Sequence, residues 1–246
     1  MVNVESFAET ADPPVRGFLH RPEIANGDAL VLTHGAGSNA QAPLLRALAD
    51  TCASTGFTVV CCNLPYRQVR SFGPPGPGDA ARDRAGLKNA IAALRKILGA
   101  PPLADVARSR EVSRQSSHKI FLGGHSYGGR QSSMLCAEEP DLVAGLLLLS
   151  YPLHPPRKPE QQRTQHLPNL RTPTLFVHGT RDPFGSTEEI QRAIKIIPAK
   201  TKLLPVEGAG HDLGFRGKSK KEELPQIILA AFRAFLDEVS VVGLGS

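Results

Sequence analysis

Apolar runs of strand length, unbroken rather than alternating, recur along this chain with amphipathic helical stretches between them. The runs are ALVLTH at 29–34, FTVVCCN at 57–63, KIFLGG at 119–124, VAGLLLLS at 143–150, PTLFVHG at 173–179 and TKLLPVE at 201–207. LLRALADTCASTG, ARDRAGLKNAIAALRKILG, GGRQSSMLCAEE and TEEIQRAIKII carry helical spacing between them, and a closing helix is expected near 223–239. A strand that is apolar on both sides must be covered on both sides. The alternation therefore predicts a mostly parallel sheet with helices on each face, an α/β architecture. Ahead of it, VESFAE and VRGFLH, split by Pro13 and Pro14, predict a β-hairpin or two short edge strands.

Two stretches are expected to be irregular: PYRQVRSFGPPGPGD at 65–79, a long loop rich in Pro, Gly and Arg, and residues 100–117, a polar, exposed excursion. With no linker and no internal repeat, the 246 residues read as a single domain, 1–246. No apolar run is long enough to span a bilayer, so no membrane partner is expected. MVNVESFAETADPP lacks a basic stretch followed by an apolar one, which leaves the cytoplasm as the expected compartment. Cys52, Cys61, Cys62 and Cys136 show no CxxC spacing and no paired His ligands, so reduced core thiols are expected rather than a metal site or disulfides. The net charge of +6 is scattered, and its densest run, RGKSKK at 216–221, has no interleaved aromatics. That favours a solvated basic surface over a nucleic-acid partner.

The chemistry centres on GGHSYGG, residues 123–129, which contains Gly124-His125-Ser126-Tyr127-Gly128. GxSxG alone is a short pattern, and a glycine-rich turn without chemistry can also produce it. Here it lies between a strand and a helix, where a sharp turn lifts a serine hydroxyl above the sheet edge. A serine hydroxyl is a weak nucleophile and needs a base that is itself oriented by a third group. In the chain order that accompanies such an elbow, Asp182 follows the strand PTLFVHG and His211 follows TKLLPVE. Both belong to loops at C-terminal strand ends, where open α/β sheets collect their functional groups. The competitors are placed less well: His118 and His125 flank the serine, His154 and His166 follow VAGLLLLS, and Asp141, Glu207 and Asp212 sit at other positions around the loops.

HGAGS at 34–38 opens from the strand ALVLTH where this arrangement supplies one oxyanion donor. The candidate donors are the backbone N–H groups of Ala36 and Tyr127. A phosphate-binding turn is the other reading of Gly35 and Gly37, but the chain has neither a P-loop Lys-Ser/Thr pair nor GxGxxG. Tyr66, Arg67 and Arg70 follow a strand ending at the same edge, and either arginine could pair with a substrate anion or merely tie down a loop. Gly35, Tyr151 and His154 complete the candidate substrate contacts.

GGHSYGG, HGAGS, HGTRDPFG and GAGHDLG, in this order, make the chain resemble an α/β-hydrolase along nearly its whole length. CNLPYR at 62–67, GGHSYGGR at 123–130 and the segment from Tyr151 to Gly185 are similar to the dienelactone-hydrolase-like group, which includes testis-expressed and chromatin-complex-associated members. The resemblance implies a three-layer fold with an eight-stranded, mostly parallel sheet, and a Ser126-Asp182-His211 triad. Residues 151–172, with prolines at 152, 155, 156, 159 and 168, are too few for a large helical cap. The expectation is a serine esterase of small or medium soluble acyl esters that needs no metal or organic cofactor. The alternative is a non-catalytic scaffold of the same fold.

Overall fold

The fold is that of a computed structural model describing residues 2–100, 118–214 and 222–242. The predicted excursion at 100–117, apart from Ala100, and the run RGKSKK lie outside the described residues. Eight strands form one sheet: β1 (Asn3–Glu9), β2 (Val15–Arg21), β3 (Ala29–Thr33), β4 (Thr58–Asn63), β5 (Ile120–His125), β6 (Gly145–Leu149), β7 (Thr174–Gly179) and β8 (Thr201–Val206). Their order across the sheet is β1-β2-β4-β3-β5-β6-β7-β8. β2 runs antiparallel to both neighbours, which makes the expected hairpin with β1, and every pairing from β4 to β8 is parallel.

The helices are α1 (Pro43–Ser54), α2 (Pro65–Val69), α3 (Asp79–Ile97), α4 (Tyr127–Glu138), α5 (Thr187–Ala193) and α6 (Leu224–Val242). The unbroken apolar runs do what both-sided burial requires. All five residues of β3 and of β6 are buried, while the edge strand β1 is largely exposed. One core layer lies under α1 and α6, where Leu45 and Leu48 share an apolar cluster with Phe232 and Phe235. The other lies under α3, α4 and α5, where Leu87, Ile91, Leu135 and Ile190 pack. All four cysteines are buried and unpaired. Burial pushes the thiols of Cys52, Cys62 and Cys136 up to about 12 and holds that of Cys61 well above its ordinary value.

Three local expectations are corrected. The loop predicted from Pro65 begins instead with α2, because Pro65 at the first helical turn presets the backbone and Tyr66 and Arg67 are buried against the body of the protein. α3 starts at Asp79 rather than Ala81. The helix expected over 187–197 is α5 followed by a tighter 3-10 turn, Ile194–Ile196. The connection from β6 to β7 holds one 3-10 turn, Leu167–Asn169, and no helical cap. No helix among the described residues is long and apolar enough to cross a membrane.

The strand order matters for the site. The chain leaves β3 toward β4 on one side and leaves β5 toward β6 on the other. A crevice forms where adjacent parallel strands send their connections to opposite sides. It opens between the ends of β3 and β5, the strands that run into HGAGS and Ser126.

Candidate active site

Ser126 stands between β5 and α4 with φ 52° and ψ −116°, a conformation L-residues rarely adopt. The turn is tight enough to dictate its glycines. A Cβ on Gly124 would stand 2.6 Å from Gly128 C and Gly129 N, and one on Gly128 would stand 2.5 Å from His34 O. The Ser126 N–H donates to Leu149 O at the end of β6 (2.8 Å), which ties the elbow to the neighbouring strand.

His211, in the loop after β8, and Asp182, in the loop after β7, meet Ser126. His211 Nε2 lies 2.7 Å from Ser126 Oγ, and His211 Nδ1 lies 2.8 Å from Asp182 Oδ2. With a carboxylate on Nδ1, that nitrogen carries the proton and Nε2 is left to accept from the serine hydroxyl. The Asp182 side chain is fully buried, and its other oxygen accepts the Phe184 N–H (2.9 Å). The Phe184 ring lies over His211, with centroids 4.2 Å apart. His178 approaches Asp182 Oδ2 at 3.7 Å but donates Nε2–H to Gly185 O (2.8 Å); burial lowers its pKa and favours the neutral ring. His125, weighed only as a rival base, has another place: its Nε2–H donates to the main-chain carbonyl of His211 at 2.7 Å.

The HGAGS loop is held from beneath. Leu64 N–H donates to His34 Nε2 (3.1 Å), so His34 carries its proton on Nδ1 and donates it to Gly35 O (2.9 Å). Burial pushes the His34 pKa down to about 4. Gly35 lies against the nucleophile; a side-chain carbon there would stand 3.3 Å from Ser126 Cβ. Tyr127 is the first residue of α4, so its N–H has no acceptor within the helix.

Four of the expected substrate contacts, Tyr66, Arg67, Tyr151 and His154, are corrected, because each is buried against the body of the protein. Arg67 is 8% exposed, and its guanidinium donates to Ser38 O, Arg70 O, Ala36 O and Gly73 O at 2.7–3.1 Å, leaving no face for a ligand anion. It is a buried clamp on the HGAGS loop. Arg70 differs from these four: it is exposed, and it pairs with Asp79 at the start of α3. Tyr151 is buried, with its hydroxyl donating to Arg163 O. His154 is buried between Pro155 O and Glu189. Tyr66 is also buried, its hydroxyl turned to Ala36 O (2.8 Å) and Gly35 O (3.3 Å).

Sequence reasoning missed Asp83. It lies on α3, buried, and accepts the Tyr66 N–H on Oδ1 (3.1 Å) and the Tyr127 hydroxyl on Oδ2 (2.8 Å). An aspartate at a core-facing position of an amphipathic helix is the signal that could have found it, since carboxylates are seldom buried without partners. Among the described residues, no group of three or more His, Cys, Asp or Glu is placed to hold a metal ion.

Comparison with known proteins agrees with the fold. A dienelactone hydrolase from Anabaena variabilis superposes with a TM-score of 0.66 at 18% identity, over 92% of this chain and 94% of that one. An α/β serine hydrolase without lid from Xanthomonas campestris superposes with a TM-score of 0.64 at 16% identity, over 94% of this chain and 95% of that one. A 48-residue stretch is 44% identical to polyketide synthase ThaQ of Burkholderia thailandensis; it covers 20% of this chain and only 2% of that much longer protein. Residues 26–237 match the family described as alpha/beta hydrolase domain. With the sheet order, the elbow and that match in agreement, the chain belongs to the alpha/beta hydrolase family.

Proposed function

We propose that this protein is a serine hydrolase, a carboxylesterase acting on small or medium soluble acyl esters through an acyl-enzyme on Ser126. The observation that carries the reading is the continuous path from Ser126 Oγ through His211 to Asp182, at 2.7 and 2.8 Å. Ser126 Oγ bonds to the acyl carbon while its proton passes to His211 Nε2. The carbonyl electron pair moves onto oxygen, where the N–H groups of Ala36 and Tyr127 receive it. Collapse of that intermediate breaks the ester bond, and His211 returns the proton to the departing alcohol. Water then takes the place of the alcohol and gives a proton to His211 Nε2 as its oxygen bonds to the acyl carbon. The bond to Ser126 Oγ breaks as His211 returns that proton to the serine, releasing the acid. Asp182 holds the imidazole in the tautomer that both halves require.

The short connection from β6 to β7 supports the substrate size, since it brings no apolar roof for a long chain. Four reduced thiols are compatible with work in the cytoplasm.

A fluorophosphonate probe tests the reaction class. Labelling of the wild type at Ser126 and none of Ser126→Ala is the expected result. A folded wild type that stays unlabelled would instead favour a scaffold without catalysis. Acyl length is tested with p-nitrophenyl esters: acetate and butyrate should be hydrolysed faster than palmitate, and the opposite order would reject the small-ester assignment.

A further inference from the structure

Both residues assigned above as oxyanion donors connect to one buried carboxylate. On one side, Tyr127 gives its N–H to the site and its hydroxyl to Asp83 Oδ2 (2.8 Å). On the other, Asp83 Oδ1 accepts the N–H of Tyr66 (3.1 Å), whose hydroxyl reaches Ala36 O (2.8 Å) and Gly35 O (3.3 Å). The two tyrosine rings meet edge to face, with centroids 5.9 Å apart and planes at 89°, so neither ring can swing without moving the other.

The Gly35 carbonyl belongs to the same peptide unit as the Ala36 N–H. That unit is planar and trans, so its C=O and N–H point in opposite directions. Gly35 O also accepts His34 Nδ1–H (2.9 Å) and Ser38 N–H (3.0 Å). Holding the oxygen from below therefore sets where the N–H points above. Hydrogen bonds to the oxygen also polarise that N–H and make it a better donor. Arg67 Nη2 fixes the next carbonyl, Ala36 O, at 2.9 Å.

A buried carboxylate is an expensive way to join two tyrosines if joining them is all it does. Desolvation alone disfavours it, and its two oxygens each accept from one tyrosine, which the neutral amide of an asparagine could not do. Charge-assisted bonds are shorter and stiffer than neutral ones, which is what a site needing donors fixed before the reaction would use.

We propose that Asp83 is a positioning residue for the oxyanion hole, one carboxylate that holds the Tyr127 donor through that residue's own hydroxyl and the Ala36 donor through Tyr66. This rests on the serine hydrolase reading. The path Tyr127–Asp83–Tyr66–Ala36 sets the spacing and direction of the two N–H groups, while the Ser126, His211 and Asp182 contacts do not depend on it.

The test compares wild type with Asp83→Asn, Tyr127→Phe and Tyr66→Phe. It measures kcat per active site, titrated with the fluorophosphonate, KM for p-nitrophenyl butyrate, and inhibition by a trifluoromethyl ketone whose serine adduct carries an oxyanion. kcat should fall about ten- to a hundredfold with KM within about twofold, and the ketone should weaken by the same factor as kcat/KM. Wild-type kcat per titrated site in any folded variant, or a loss confined to KM or to thermal stability, would overturn the role of Asp83. Should Asp83→Asn not fold, the two tyrosine variants decide the matter, since each keeps its backbone N–H and ring. A wild type that neither labels nor turns over ester is a different failure; it removes the hydrolase reading and this inference with it.

Discussion

Ser126 carries its function in its backbone as well as its hydroxyl. A non-glycine residue at φ 52° and ψ −116° stores on the order of 1–3 kcal/mol of strain. Glycine would relieve that strain and give back about 0.4–1 kcal/mol through the freer unfolded chain. Ser126→Gly is therefore expected to be more stable than Ser126→Ala by about 1 kcal/mol, and urea denaturation of the two inactive variants measures the difference. Equal stabilities would mean the elbow is not strained. The elbow was legible in the sequence because its requirements are local: a strand, a helix, and glycines at 124 and 128. Arg67 was not, because whether an arginine faces solvent or a ring of carbonyls depends on how a neighbouring turn folds, and its spacing is silent on that. His125 and Asp83 were hidden for the same reason, since their partners lie 86 and 17 to 44 positions away.

Among the elements, the strands could be read from their unbroken apolar runs, and the short helices only in part. α2 hides in a stretch of Pro, Gly and Arg because five residues are too few to display a helical period. α5 announces itself better. Ser186 Oγ accepts the Glu189 N–H (3.2 Å), and Glu189 Oε2 accepts the Ser186 N–H (2.8 Å), a reciprocal cap. The backbone hydrogen bond at this cap is the main cause holding the Glu189 carboxyl below its ordinary range, with His154 adding to it. Ser186→Ala should lower stability by about 1 kcal/mol and leave kcat unchanged. Denaturant midpoints and esterase rates measured together check this; a matching fall in kcat would mean that α5 governs the site.

Across the whole molecule, the order of strands brings loops from four strand ends to one edge. That convergence was predictable from chain order alone, whereas the internal bracing under β3 was not. His34 is part of that bracing, joining the end of β3 to Leu64 beyond β4. Its pKa is near 6.5 in an unfolded chain and is pushed down to about 4 by burial in the folded one. Between those values only the unfolded state holds the proton. Stability is therefore full above pH 6.5 and is lost as pH falls toward 4, by on the order of 3 kcal/mol from this group. His166, also lowered to about 4, adds to the same decline. Urea midpoints between pH 7 and 4.5 should fall for the wild type and fall less for His34→Asn; identical slopes would remove His34 from the account.

The four cysteines lie on different sides of the sheet. Cys61 and Cys62 are adjacent on β4 yet belong to opposite core layers, the first sharing its layer with Cys52 and the second with Cys136. Only a thiolate reacts readily, and these thiols are held protonated and out of reach. An alkylating reagent thus finds nothing to modify while the sheet is covered, and each sulfur it marks records a moment when one layer lifted away. The molecule carries a two-sided recorder of its own breathing, one pair of sulfurs for each face.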